Sequence, residues 1–317
     1  MTMARYRRFL PWIALFTIYV VWGSTYLAIA IAVKEIPPFF AAFLRFLVAG
    51  VVMAGLALVF DPKDRRPSRR DLLDYGLIGM LFLGFGNGLV MWSEQRVPSG
   101  IAALVVATVP LWTTLLDGVR PGGVPWTLRG WLGTALGLLG VALVARPGGA
   151  GIAAGHLTGI LALQLASLSW TFGALYSKSV KRPLPVLTAS AIEMLAGSLV
   201  LLIESQLVGE DLALVALASG RAWGALVYLV IFGSLIGFTA FAYCLSVLPA
   251  GTVSTYAYVN PVVAVALGAF VLDEPISTGL LGGAALILLA VVLTTRRLAV
   301  RPAPPPKQES APLPDAA

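Results

Sequence analysis

The sequence predicts an all-α membrane protein in which ten transmembrane helices form two inverted five-helix repeats. Three observations carry that expectation. The first is composition: of 317 residues, 58% are hydrophobic and 12% charged, with a mean hydropathy of +0.89, whereas soluble domains carry about 25% charged residues. The second is segment length. A helix needs about 20 mainly apolar residues to cross a hydrocarbon layer, and such runs fall at roughly 10–33, 38–60, 72–92, 98–117, 127–145, 157–178, 185–207, 223–246, 251–272 and 277–295. The third is an internal repeat: PSGIAALVVATVP, from Pro98 to Pro110, and PAGTVSTYAYVNP, from Pro249 to Pro261, share the pattern Pro-x-Gly, nine residues, Pro.

Taken in chain order, the first run follows the basic MTMARYRRF and imitates a signal peptide. Nine further spans make a retained first helix the expected reading. Short loops join the spans and leave no room for an extramembrane enzymatic domain. The repeat offset recurs along the chain, in Trp22 with Trp170, Gly86 with Gly237, and Gly130 and Gly133 with Gly279 and Gly282. Units are therefore expected at 10–145 and 157–295, and an odd number of spans per unit turns the second upside down relative to the first. The Pro-rich stretch 296–317 is expected to be a disordered cytoplasmic tail.

The basic residues are read as topology. Seventeen of the 22 Lys and Arg fall on one side when the N-terminus is placed inside, among them Arg65, Arg66, Arg69 and Arg70 in a single loop. Short loops rich in Lys and Arg stay cytoplasmic, so both termini are expected there, in a plasma or inner membrane. Nucleic acid is excluded as a partner, since no exposed basic surface with interleaved aromatics is present. The lone Cys244 can form no internal disulfide, and the lone His156 reads as a solvated loop residue; neither suggests a metal or cofactor site. Gly84 with Gly88, Gly133 with Gly137, Gly233 with Gly237 and Gly279 with Gly283 offer close helix contacts, within the chain or at a homodimer seam.

WGSTYLAIAIAVKEIPPFFAAFLRFLVAG, the PSG and PAG segments, and NPVVAVALGAFVLDEPIS together resemble the paired EamA repeats of the drug/metabolite transporter superfamily, from about residue 10 to 295. Pro261 and the sequence Leu272-Asp273-Glu274-Pro275 carry the resemblance most specifically, while the position matching Glu274 in the first repeat is Gly123. The resemblance implies a ten-helix secondary carrier, often an exporter of amino acids or other small organic metabolites.

The residues point to a polar cavity at mid-membrane. On a helix Thr252, Tyr256 and Asn260 form one polar stripe, and Pro261 removes the amide that would bond the Ala257 carbonyl, so a kink is expected there. Freed carbonyls are tolerated in a membrane only against protein or a wet cavity, although hydroxyl glue between helices would account for the same stripe. Thr255 and Tyr258 point elsewhere and read as glue or interface anchors. Pro110 repeats the proline without the stripe.

Arg45 and Glu193 lie well inside spans, where ionisable groups face the protein interior. They are expected to bind opposite ends of a zwitterionic solute or to pair with each other when the site is empty, a structural salt bridge being the rival. Glu193 is the candidate for proton coupling. Trp22, Tyr26, Asn87, Gln164 and Trp170 are expected to line the same cavity, Trp92 and Trp112 either there or at the interface with Trp126 and Trp223. Gly86, Gly237, Pro110, Pro261 and Glu274 are assigned hinge, capping or structural roles. Glu94 and Glu204, near span ends, are expected to be solvated.

A secondary transporter accounts for these features. A channel or lipid-handling protein is the alternative. An intramembrane enzyme would need a nucleophile with its base or a metal cluster, which one His and one Cys do not supply; no Walker sequence for ATP hydrolysis is present either.

Overall fold

The computed structural model describes residues 3–62, 66–119, 127–144, 156–180, 184–248, 250–253 and 255–295. The expected tail at 296–317, Gly123 and Trp126, and the side chain of Tyr258 lie outside the described residues. Helices run in the order α1 (Met3–Ala32), α2 (Pro38–Phe60), α3 (Arg69–Ser93), α4 (Ser99–Val106, then Val109–Val119), α5 (Leu128–Val144), α6 (Leu157–Ser177) and α7 (Val186–Leu207). After a short helix, Ala213–Leu217, come α8 (Gly220–Tyr228, Leu229–Ile236 and Gly237–Val247 in one run), α9 (Ala250–Val253, then Tyr256–Leu272) and α10 (Thr278–Thr295). Among the described residues there is no strand. Seven helices among them are long and apolar enough to cross a bilayer, while Leu128–Val144, Val259–Leu272 and Thr278–Leu293 are apolar but shorter.

Large apolar side chains point outward, Leu58 being 77% and Phe270 87% exposed. That is the surface expected when lipid, rather than water, is the solvent. Packing inside the bundle is reciprocal. The most extensive contacts are α2 on α7 and α5 on α10; α1 packs on α8 and α9, while α6 packs on α3 and α4. Each helix of one matched half thus meets the same neighbours from the other.

Close approach depends on small residues. A side chain at Gly84 would meet Val200, one at Gly137 Leu111, one at Gly233 Arg45 and one at Gly283 Val144. These glycine motifs therefore serve packing within the chain. The closest backbone crossing involves a pair not expected from the sequence, Gly79 of α3 and Gly197 of α7.

Carboxylates reach across the bundle to cap helix N-termini whose amides would otherwise lack partners. Glu210, beyond α7, accepts from the Phe39 and Phe40 amides at 2.9 Å each, at the start of α2. Asp61, at the end of α2, accepts from the Thr188 amide at 2.8 Å and its hydroxyl at 2.6 Å, at the start of α7. The pair is an exchange between corresponding helices, each held at its start by the acid that follows the other. Glu35 likewise accepts from the Ser219 amide and hydroxyl ahead of α8, and those donors hold its carboxyl below the usual range. Loss of a side-chain cap costs about 0.5–2 kcal/mol. Glu210→Ala and Asp61→Ala are each expected to lower the melting temperature of the detergent-solubilised protein accordingly, and a double variant should lose close to the sum.

Candidate functional site

Two stretches of the bundle are π-helical, Met80–Asn87 within α3 and Leu229–Ile236 within α8, 149 residues apart. A π turn moves backbone hydrogen bonds from i+4 to i+5 and releases a carbonyl, and such turns collect at functional sites. Here the released carbonyls are taken by the opposite half. Ser169 of α6 donates its hydroxyl to the Leu81 carbonyl at 2.7 Å, and the Trp22 indole of α1 donates to the Gly233 carbonyl at 3.2 Å. Glycines in or beside the π turns make room for the tryptophans of the opposite half: Trp170 lies 3.5 Å from where a side chain would begin at Gly86, and Trp22 fills the corresponding space at Gly237. Trp22 and Trp170 meet edge-on with centroids 6.3 Å apart.

Trp22, Gly86, Trp170 and Gly233 wall a cavity of about 110 Å³, completed by Tyr26, Arg45, Asn87, Phe238, Tyr256 and Asn260. Trp22 also contacts Tyr256 at 5.3 Å and Phe241 at 5.0 Å. Trp170, Phe238 and Tyr256 form a shared wall with a second cavity of about 390 Å³, which runs past Glu193 to Lys178, Leu184 and Val186 at the α6–α7 connection.

Arg45, 5% exposed, donates Nε to the Ser234 hydroxyl at 2.9 Å and a terminal nitrogen to the Asn87 amide oxygen at 3.5 Å. A guanidinium has five N–H donors. The remaining ones face Gly233 and the cavity, and no carboxylate among the described residues comes within ion-pair distance. Arg45 and Glu193 are not paired: they lie in the two separate cavities, with the aromatic wall between them. A single fixed positive charge therefore stands in a mostly apolar chamber with several aromatic walls, an arrangement fitted to a small solute with an anionic end and an apolar body.

The two matching prolines act on this chamber from opposite sides. Pro110 and Pro261 lack the amides that would bond the carbonyls of Val106 and Ala257, and both of those residues line the cavity. The interruptions lie elsewhere than expected. In α9 the helix breaks before Tyr256 and continues straight through Pro261, because Thr255 turns the chain by bonding the Thr252 carbonyl and the Tyr19 hydroxyl, each at 2.5 Å. That break takes Thr252 out of the stripe, and it lines neither cavity. Asn260 is buried, and its NH2 reaches the carbonyls of Tyr256 and Tyr19, each 3.2 Å away. It joins α1 to α9 as well as lining the cavity.

In α4 the break falls at Ala107–Thr108. Gln164 holds it, accepting from the Trp112 indole at 2.8 Å and lying 3.4–3.5 Å from the Thr108 hydroxyl. Gln164 thus sits behind the cavity wall rather than in it. Glu274 caps α4, accepting from the Ser99 and Gly100 amides at 2.8 and 3.1 Å. The turn that aims it includes Asp273 in the left-handed region, φ 55°. Glu94, expected to be solvated, is buried at 7% exposure, because the α1–α2 and α3–α4 connections fold over that end. Among the described residues no group of three or more His, Cys, Asp or Glu could hold a metal ion.

The chain matches the model of the EamA-like transporter family twice, over residues 10–146 and 157–296. It is 42% identical over 275 residues to the uncharacterized inner membrane transporter YedA of Escherichia coli, covering 86% of this chain and 87% of that one. It is 28% identical over 276 residues to a protein of Streptantibioticus cattleyicolor named as a probable terminal-alkyne amino-acid exporter, covering 86% and 89%. One solved crystal structure superposes with a TM-score of 0.62 at 23% identity, over 90% of this chain and 97% of the other, a likeness of fold.

Proposed function

Since the chain belongs to the EamA-like transporter family, we propose that it is a secondary active transporter that exports small organic solutes of amino-acid type with an apolar or aromatic side chain. In this reading ten helices cross the membrane as inverted repeats at 10–145 and 157–295, both termini and the 296–317 tail are cytoplasmic, and the repeats rock about the shared cavity. The carrying observation is Arg45, a buried and uncompensated guanidinium at the seam of the halves, facing the Trp22, Trp170 and Tyr256 rings. Arg45 receives the solute carboxylate in a two-pronged contact. The carbonyls of Val106 and Ala257 accept from its ammonium, and the aromatic wall covers its side chain.

The exporter name of the Streptantibioticus relative supports the amino-acid class. The larger cavity reaches the α6–α7 connection, which in this reading is cytoplasmic, and so supports loading from inside. Counterflow into liposomes containing the purified chain tests this. Saturable uptake of labelled leucine or phenylalanine, accelerated by the same solute inside, is expected. Uptake that neither saturates nor responds to trans solute would replace the transporter cycle with a channel.

A further inference from the structure

Glu94 follows α3, two turns beyond Asn87 and one beyond Val90 on the face that lines the cavity. Both of its carboxyl oxygens are buried without a hydrogen-bond partner. The backbone of Ala30, on α1, lies near this carboxyl. The Ser99 hydroxyl, fully buried nearby in sequence, is also unpartnered. This end of the bundle is shut: Val33, Ile36, Val97 and Ser99 are each at most 3% exposed, Gln95 donates to the Val33 carbonyl at 3.1 Å, and Glu274 clamps the start of α4.

The titratable and charged groups on the elements packed around Glu94 are Tyr26 on α1, Lys34 and Glu35 on the α1–α2 connection, Arg45 on α2, Arg96 beside it, His156 at the start of α6, Glu204 on α7 and Glu274 beyond α9. None is within ion-pair distance among the described residues. Arg96 is instead stacked on Trp92, 3.5 Å from the ring centre, and Glu274 is a second negative charge. A carboxylate sealed in this way is costly unless neutralised. A dehydrated metal cation would require a cage of oxygens, and among the described residues no group of three or more His, Cys, Asp or Glu is placed to build one. A proton requires only the carboxyl itself.

We propose that Glu94 is a proton-binding site that ties closure of this end of the bundle to uptake of one proton. When the end opens, water reaches the carboxyl and stabilises its charged form; when it closes, only the neutral form is buried cheaply. By linkage, protons then favour the closed state. The inference takes from the proposed transport cycle the assignment of this end to the outer face. It assigns the proton to Glu94 rather than to Glu193, whose cavity opens toward the α6–α7 connection.

Infrared pH-difference spectra of the purified full chain, with no solute added, test the site. They are expected to contain a protonated-carboxyl band that shifts in D2O, persists in Glu193→Gln and is missing in Glu94→Gln. A band unaffected by Glu94→Gln, or one that moves only with sodium, overturns it. The link to closure is read in Val90→Cys on a Cys244→Ala background, labelled from outside in right-side-out vesicles with an impermeant maleimide. Labelling rates, divided at each pH by those of the same cysteine in the denatured chain to remove the ionisation of the thiol itself, should rise with pH, approaching tenfold per pH unit across the titration, and become flat when Glu94→Gln is added; equal normalised slopes overturn the link. Neither measurement needs a transported solute, so each stands or falls apart from the substrate reading.

Discussion

Replacing Arg45 with glutamine is expected to lower solute affinity on the order of 100-fold or more while leaving the detergent-solubilised protein as stable as before, or more stable. The first part follows from chemistry. Removing one partner of a buried, hydrogen-bonded charge pair costs about 2–5 kcal/mol, and each 1.4 kcal/mol is about tenfold in affinity. The second part separates binding from structure. In the empty protein Arg45 is held by Ser234 and Asn87 and by no carboxylate within ion-pair distance among the described residues, so glutamine removes a buried charge whose burial opposes folding. A structural guanidinium would behave in the opposite way, with a lower melting temperature and little change in affinity. Arg45→Lys keeps the charge but not the planar fork, and is expected to fall between wild type and glutamine. Thermal-shift titration with leucine and phenylalanine reads both quantities in one experiment, because a ligand confined to the folded form raises its apparent stability. A melting temperature that drops in Arg45→Gln with the ligand-induced shift intact would remove Arg45 from the site.

What the sequence reveals here is what repeats. Trp22 and Trp170, like Gly86 and Gly237, stand out by similar offsets, 148 and 151 residues, and the fold brings each tryptophan onto the glycine of the opposite half. Pro110 and Pro261 stand out in the same way, because a missing amide is a property of the residue itself. The π turns are hidden, since MLFLGFGN and LVIFGSLI carry the same apolar pattern whether the backbone bonds at i+4 or i+5. The carboxylate caps are hidden for another reason. Glu210 and Phe39 are 171 residues apart, and nothing local in either segment names the other.

Glu94 shows the limit of counting depth along a helix. Its position near a span end says that water is close along the axis, but not that two connections fold over it. Thr252 shows the limit of assuming one continuous helix, since the turn at Thr255 takes it off the cavity face. The Arg45–Glu193 pairing required two depths to coincide, and the shared wall of Trp170, Phe238 and Tyr256 stands between the residues.

Gly79→Val is expected to cost about 3 kcal/mol or more and to abolish recovery of folded protein, whereas Gly55→Ala and Gly224→Ala are expected to be neutral or mildly stabilising. At Gly79 the first side-chain carbon would fall onto the backbone of Glu193, 2.6 Å from its Cα and 2.7 Å from its carbonyl carbon, and closer still to the oxygen. Overpacking a core against side chains costs about 1–3 kcal/mol because rotamers can give way; a backbone has no rotamer to change. A side chain beginning at Gly197 would meet the Gly79 carbonyl at 2.9 Å from the other side, so the two backbones are close on both sides and α7 cannot simply roll away. The only relief is to part α3 from α7, and this also moves Glu193 and the cavity it lines. At Gly55 and Gly224 an added carbon meets nothing within 4 Å, and a helix gains up to about 1 kcal/mol when alanine replaces glycine. Size-exclusion profiles and melting temperatures of the three variants in one detergent decide the matter. A monodisperse Gly79→Val with wild-type stability would mean that α3 and α7 do not cross at this point, and the position of Glu193 would have to be drawn again.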